Sequence, residues 1–150
     1  MEQLPFILAY IGMGIMLAVA CIGSAYGVTI SGNATIGILK KDSSAFGKCM
    51  ILCALPATQG LYGFAGFFLM LNRLKVMETL PINAGLAIFA AGTAMGVVGF
   101  YSAFRQSIMV ANGVKEIGNG QDVFGQTMIL GVFPELYAIL TFAATFLALP

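Results

Sequence analysis

Residues 123–149 read VFGQTMILGVFPELYAILTFAATFLAL, an apolar run whose single charged residue, Glu135, lies near its middle. At about 1.5 Å per helical residue, a run of this length crosses the roughly 30 Å hydrocarbon core of a bilayer. An ionised carboxylate at that depth costs on the order of 3 to 10 kcal/mol, so it indicates a functional site by default. Something must therefore balance Glu135: a proton, a cation or a network of hydrogen-bond donors.

The rest of the chain has the same apolar character, since 59% of its 150 residues are hydrophobic and 9% are charged. This composition predicts an integral membrane protein and excludes a soluble globular domain. Three further runs are long enough to cross a membrane. We therefore predict an all-α fold in a single membrane domain, with four transmembrane helices over about residues 5–39, 48–72, 82–117 and 123–149.

Short polar turns separate the four runs, at residues 40–47, 73–81 and 118–122. The first and third turns are accompanied by more basic residues than the second, namely Lys40, Lys41, Lys48 and Lys115 against Arg73 and Lys75. The positive-inside rule then predicts that the first and third turns are cytoplasmic and that both termini lie outside, in a multi-pass protein of the cell inner membrane. The net charge of +1 gives no case for nucleic-acid binding.

The helices are of two kinds, and the chain repeats itself. The first and third runs are rich in glycine and alanine, including Gly23 and Gly27 at a spacing that lets helices approach closely. The second and fourth carry most of the phenylalanines, which predicts small-residue helices inside and bulky ones facing lipid. Leu61-Tyr62 recurs as Leu136-Tyr137, each soon after a proline, at an offset of about 75 residues, so we predict two tandem hairpins.

Polar residues of the second and third runs match the predicted depth of Glu135. Leu55, Thr58, Gln59 and Tyr62 follow an i, i+3, i+4, i+7 spacing, so they share one face of the second helix. Gln59, Gln106 and Glu135 each lie about 12 residues from a predicted cytoplasmic turn, or about 18 Å in helical rise. These groups are therefore predicted to form one site from three helices.

The oxygen atoms of this set suit a hard monovalent cation. Pro56 removes the helical donor of one carbonyl and loosens the turn that includes Leu55, and Pro134 does the same immediately before Glu135. One carboxylate, two amide oxygens, a hydroxyl and a main-chain oxygen carry a single negative charge between them. Proton binding is the alternative, because burial in hydrocarbon favours the neutral form of a carboxyl.

The chain resembles the proteolipid (c/K) subunit of V-type ATPases, most closely the four-helix sodium-transporting bacterial form. The resemblance covers essentially the whole chain. It is carried by Leu55-Pro56-Ala57-Thr58-Gln59-Gly60-Leu61-Tyr62-Gly63, by Gln106, and by Pro134-Glu135-Leu136-Tyr137-Ala138. It implies Na⁺ held by the Leu55 main-chain oxygen and by the side chains of Thr58, Gln59, Gln106 and Glu135. It also implies that Tyr62 hydrogen-bonds the carboxylate and keeps the site closed.

The same resemblance implies the assembly: a membrane ring of identical subunits that turns past a static subunit bearing an arginine. The cytoplasmic turns of the ring would meet the central stalk, and bulky helices would face membrane lipid. The chain has no glycine-rich nucleotide-binding loop, so it is predicted to be a non-catalytic subunit whose partners hydrolyse ATP. The open alternatives are a proton-carrying rotor of the same family and a small four-helix cation/proton exchanger.

Arg105 departs from the family pattern, because the rest of its apolar run is free of charge up to Lys115. As the neighbour of Gln106 it points about 100° away around the helix. It is expected to reach the ring lumen or to snorkel toward an interface. If it faced Glu135 instead, it would compete with a cation.

Overall fold

The computed structural model describes residues 3–150 and contains four membrane-length helical segments. α1 spans Leu4–Leu39, α4 spans Ile82–Gly118 and α5 spans Phe124–Leu147. The second segment consists of α2 (Phe46–Ala54) and α3 (Thr58–Leu74), joined by a 3₁₀ turn at Leu55–Ala57. All four segments are long and apolar enough to cross a bilayer, which confirms the predicted all-α fold with four transmembrane helices.

The two intramembrane prolines act differently. Pro56 lies in the 3₁₀ turn that interrupts the second segment, whereas Pro134 lies inside α5 without breaking it. Beside Pro56, the Thr58 hydroxyl donates to the Leu55 carbonyl (3.0 Å), and the Gly60 amide donates to the Ser24 hydroxyl of α1 (2.7 Å). Side-chain and interhelical bonds thus occupy backbone groups at the break, as a helix interruption at membrane depth requires.

α1 and α4 lie side by side along most of their lengths, because glycines on each helix face the backbone of the other. Gly92 of α4 faces the backbone of Gly12, and Gly23 of α1 packs on the backbone of Phe100. A methyl group at Gly27 would lie 2.6 Å from the Pro56 Cβ atom and 3.0 Å from the Ala103 carbonyl oxygen. Small residues therefore determine how closely α1 approaches both α4 and the 3₁₀ turn.

We expect Gly27→Ala to lower the free energy of unfolding by about 1–3 kcal/mol or more, because the added methyl group has no space to occupy. Gly37→Ala on the same helix is the matched control, since a methyl group there meets no atom within 4 Å. Alanine is the better helix former, so the control is expected to be neutral or slightly stabilising. Unfolding titrations in mixed detergent micelles would compare the two variants; equal stabilities would contradict the proposed close approach.

The bulkier helices lie outside this pair. α3 packs on α1 and α5 packs on α4, so each sequence hairpin keeps its own two helices together. Four phenylalanines of α3 and α5 have about half of their surface exposed, namely Phe64, Phe68, Phe133 and Phe146. In a chain of membrane-spanning helices such exposed apolar side chains are suited to contact lipid or another apolar helix.

Local hydrogen bonds order the turns at the end of the molecule predicted to be cytoplasmic. The Asp42 carboxylate accepts from the Ser44 amide (2.9 Å) and hydroxyl (2.6 Å), which lowers the pKa of Asp42 and caps a 3₁₀ turn. Gly120 has φ +87°, a left-handed conformation suited to glycine. Lys48 in the first turn of α2 and Asp122 before α5 form an ion pair at 3.2 Å, and the exposure of this pair limits its contribution to stability.

Two apolar clusters fill the interior, one toward each end of the bundle. On α4 the cluster toward the termini includes Ile88 and Met95, and the cluster toward the first and third turns includes Val110 and Val114. Ser102 and Gln106 lie on the α4 segment between the clusters and are buried. Ser102 and Gln106 therefore lie in a polar layer between two apolar ones.

Candidate ion-binding site

Glu135 lies in this polar layer with 8% of its surface exposed. The Tyr62 hydroxyl of α3 donates to one carboxylate oxygen, Oε1, at 2.7 Å. Gln106 Nε2 of α4 donates to the other, Oε2, at 3.1 Å. Each oxygen thus has a donor from a different helix, and hydrogen bonds to a charged group are about twice as strong as neutral ones.

The two glutamines connect Glu135 to the second segment. Gln106 Nε2 also donates to the Gly131 carbonyl (2.8 Å), and Gln106 Oε1 accepts from Gln59 Nε2 (2.9 Å). Gln59 Nε2 donates in addition to the Ser102 hydroxyl at 3.1 Å. Both glutamine side chains have no exposed surface. This leaves α3, α4 and α5 joined by one buried network.

Three oxygen atoms, from Leu55, Thr58 and Gln59, gather next to one another. The Thr58 Oγ1 atom lies 3.0 Å from the Leu55 carbonyl oxygen and 3.3 Å from Gln59 Oε1. Hard cations hold oxygen ligands at about 2.1–2.5 Å, so neighbouring ligands at right angles are about 3.0–3.5 Å apart. The Thr58 hydroxyl spans this distance with a hydrogen bond, and the same spacing fits adjacent ligands of one cation.

Packing holds these oxygens near the carboxylate helix. A methyl group built at Gly131, one turn before Glu135, would lie 3.3 Å from a Leu55 side-chain methyl. On the other side, Tyr62 stacks on Phe142 with ring centroids 5.6 Å apart. The 3₁₀ turn is thus fitted against α5, and an aromatic pair covers the Tyr62–Glu135 bond.

The structure brings together every residue that the sequence pointed to at this depth: Leu55, Thr58, Gln59, Tyr62, Gln106 and Glu135. Sequence reasoning missed Ser102, whose hydroxyl donates to the Pro134 carbonyl at 2.7 Å. Its position four residues before Gln106, on the same helix face, could have revealed it. It also missed Ser24, which accepts from Gly60. Within residues 3–150, every buried side-chain nitrogen and oxygen has a partner.

Arg105 does not join the network. It is exposed and lines an apolar groove between α4 and α5, beside Tyr101, Phe133 and Tyr137. In the described part of the chain, the single ion pair is the one between Lys48 and Asp122, so Arg105 forms none with Glu135. Its charge therefore does not replace a cation at the carboxylate.

The site offers hard oxygen ligands and one negative charge. Among residues 3–150 no group of three or more His, Cys, Asp and Glu side chains comes together, so this is not a transition-metal centre of that kind. One carboxylate in low dielectric balances one monovalent cation or one proton. The arrangement is chemically suited to hold such an ion and release it reversibly.

Comparisons with known proteins agree with this description. The model of the ATP synthase C-subunit family matches residues 11–70 and again residues 89–148, so one match falls on each hairpin. The A-type ATP synthase subunit K of Methanocaldococcus jannaschii is 36% identical over 135 residues, which cover 90% of this chain and 58% of that protein. The V-type sodium ATPase subunit K of Enterococcus hirae is 30% identical over 141 residues, which cover 94% and 89%.

A more distant relative is a V-type proton ATPase subunit of Arabidopsis thaliana, 22% identical over 135 residues, which cover 86% of this chain and 76% of the plant protein. The chain thus spans a little over half the length of the Methanocaldococcus protein and most of the Enterococcus one. The names of these relatives include both a sodium and a proton ATPase, so similarity alone does not select the ion.

Proposed function

Because the chain belongs to the ATP synthase C-subunit family, we propose that it is a rotor subunit of a rotary A/V-type ATPase that carries Na⁺ across the membrane at Glu135. The observation that supports Na⁺ over a proton is the group of three oxygens from Leu55, Thr58 and Gln59. A proton needs one acceptor, whereas these neutral oxygens are the ligands that a hard cation prefers. Membership in this family also confirms the prediction of a non-catalytic, multi-pass membrane subunit.

In this proposal, rotation and ion occupancy are coupled by the cost of moving a bare charge into lipid. Na⁺ binds between the carboxylate and the neutral oxygens of the second segment, and Tyr62 keeps Glu135 oriented. An ionised Glu135 without its cation would cost several kcal/mol or more on entering hydrocarbon. The ring therefore advances only when each departing site is neutralised.

The assembly follows from the same proposal. Identical subunits form a ring, with the bulky outer helices against lipid, and an arginine of a static membrane subunit displaces the ion. The turns at residues 40–47 and 118–122 meet the central stalk on the cytoplasmic side of the cell inner membrane. Only one hairpin of the two carries a membrane carboxylate. Fewer ions then move per turn for a given number of helices, which favours pumping over ATP synthesis.

The rate at which a hydrophobic carbodiimide modifies Glu135 tests the ion directly. We expect Na⁺ to slow this reaction strongly in the purified ring across a range of pH, because a bound cation occupies the carboxylate. Potassium would hold the ionic strength constant and serve as the control. A rate that depends on pH and is indifferent to Na⁺ would instead mean a proton-carrying rotor.

The mass of the particle in detergent separates the rotor from a small exchanger. We expect a large closed ring of identical chains, because a rotor needs many equivalent sites around one axis. A four-helix exchanger would be a dimer or another small assembly. A mass equal to two chains would contradict the rotor proposal whatever ion the site binds.

A further inference from the structure

Ser102 is the member of the buried network that the predicted ligand set omits. It lies on α4, one turn before Gln106, and has 6% of its surface exposed. Its hydroxyl donates to the Pro134 carbonyl (2.7 Å) and accepts from Gln59 Nε2 (3.1 Å). Ser102 thus contacts Gln59 and the backbone beside Glu135, and it has no hydrogen bond to the carboxylate itself.

The hydrogen-bond donors available in this network determine whether the Gln59 amide presents its oxygen or its NH₂ group to Ser102. A serine hydroxyl has one hydrogen, and the Pro134 carbonyl, which can only accept, takes it. The remaining lone pairs of Ser102 can only accept, so they require a donor. The Gln59 amide must therefore present its NH₂ group to Ser102.

The second restraint on Gln59 comes through Gln106. The Gln106 NH₂ group faces the Gly131 carbonyl and a Glu135 carboxylate oxygen, neither of which can donate while the carboxylate is ionised. Its oxygen therefore faces Gln59 and takes the second hydrogen of that NH₂ group. Because both hydrogens of its NH₂ group are taken, Gln59 Oε1 faces Thr58 Oγ1 at 3.3 Å, and the same Thr58 atom lies 3.0 Å from the Leu55 carbonyl.

A reversed Gln59 amide would make unfavourable contacts at both its oxygen and its NH₂ group. Its oxygen would meet the acceptor oxygen of Gln106 and a Ser102 hydroxyl whose hydrogen is already committed. Its NH₂ group would point at Thr58 and Leu55, where it would repel a cation and compete for the oxygens. Removing the Ser102 hydroxyl removes one of the two restraints against this reversal.

We propose that Ser102 is a positioning residue for the cation: it holds the Gln59 amide with its oxygen toward the ion and so determines the affinity for Na⁺. The inference rests on the proposed function, because it assumes that Na⁺ is the ion carried. Ser107 provides a matched contrast on the same helix. It is buried like Ser102, but its hydroxyl donates to the Phe104 carbonyl of its own helix (2.7 Å).

The test compares purified rings of the wild type with three variants, Ser102→Ala, Ser102→Thr and Ser107→Ala. The measured quantity is the Na⁺ concentration that halves the rate of carbodiimide modification of Glu135. We expect Ser102→Ala to raise this concentration about 10-fold, the effect of one lost buried hydrogen bond. Ser102→Thr, which keeps the hydroxyl, should restore most of the affinity, and Ser107→Ala should stay within about 2-fold of the wild type.

A second readout separates positioning from general loosening of the bundle. Ser102 has no hydrogen bond to Glu135, so Ser102→Ala should change the modification rate without Na⁺ by much less than the roughly 10-fold change expected in the Na⁺ concentration. Equal weakening of Na⁺ protection in Ser102→Ala and Ser107→Ala would overturn the positioning role, as would a rate without Na⁺ that changes as much as the Na⁺ concentration does. If Na⁺ protected Ser102→Ala as well as it protects the wild type, the positioning role would be overturned and the proposed function would stand. If Na⁺ did not protect Glu135 in the wild type, both the positioning role and the proposed Na⁺ transport would be contradicted.

Discussion

Under the proposed function, Glu135→Gln is expected to reduce sodium transport by roughly three orders of magnitude or more while the helical bundle and the proposed ring remain assembled. The substitution removes the one negative charge of the site, and leaving one member of a buried charge pair without its partner costs about 3–5 kcal/mol. A neutral amide can still accept the Tyr62 hydrogen bond through its oxygen, and it enters lipid at lower cost than a carboxylate. Transport of ²²Na⁺ into vesicles driven by ATP would measure the loss.

The control for this variant is Glu116→Gln. Glu116 is an exposed carboxylate near the end of the same bundle, in the last turns of α4. Glu116→Gln makes the same chemical change outside the polar layer, so sodium transport should remain near the wild-type rate. Sodium transport that survives Glu135→Gln would contradict the assignment of the ion site, and a ring that fails to assemble would contradict the structural neutrality assumed for the amide.

Much of the fold followed from apolar runs alone, because nothing except a membrane helix accommodates stretches of this length. The depth of the site was also predictable, since Gln59, Gln106 and Glu135 are equally far from turns that polar residues define. Orientation around the second segment followed from the i, i+3, i+4 spacing of Leu55, Thr58 and Gln59. These features depend on local geometry, which a single sequence contains.

Other features depend on contacts between helices and were not predictable. The sequence predicts one continuous helix for the second segment, but the structure divides this segment at the 3₁₀ turn Leu55–Ala57. Both prolines were expected to loosen their helices, and Pro134 leaves α5 continuous. The difference depends on what lies beside each proline, such as Ser24 of α1 against Gly60. The direction of each amide likewise depends on three helices at once.

The two hairpins differ in the stretch that follows the intramembrane proline, where the residues of the ion site lie. The family matches begin at residues 11 and 89, which are 78 apart, as are Pro56 and Pro134. The Leu61-Tyr62 and Leu136-Tyr137 pairs are only 75 apart. The first hairpin therefore has three more residues between its proline and its Leu-Tyr pair, and Thr58 and Gln59 lie in that stretch. One hairpin thus supplies neutral oxygens and the other supplies the charge.

Gln106→Leu is expected to weaken both the ion site and the fold. Gln106 is fully buried and makes three hydrogen bonds, to Gly131, Glu135 and Gln59. Leucine has a similar size but leaves a carboxylate oxygen without its donor and one Gln59 hydrogen without its acceptor. Each such group costs about 1–3 kcal/mol, and more for a charge, so we expect a loss of about 3–5 kcal/mol in unfolding free energy. The affinity for Na⁺ should fall about 100-fold or more.

Gln126→Leu is the matched control, because Gln126 is exposed in the first turn of α5 and the same change there removes no buried bond. Mixed-micelle unfolding and Na⁺ protection of Glu135 would give the two quantities for each variant. A Gln106→Leu protein as stable as the control would mean that the leucine packs well enough to offset the lost hydrogen bonds. Equal Na⁺ affinity in both variants would contradict the role of Gln106 in the site.

A double-mutant cycle separates the charge from the packing. Most of the expected cost of Gln106→Leu comes from leaving an ionised carboxylate oxygen without its donor. In a Glu135→Gln background that charge is absent, so the same substitution should cost about 1.5–3 kcal/mol less in unfolding free energy. The Gln59 contact is lost in both backgrounds and cancels. Additive effects of the two substitutions would mean that Gln106 supports the bundle through its shape and its bond to Gln59, and that Glu135 is held by Tyr62 alone.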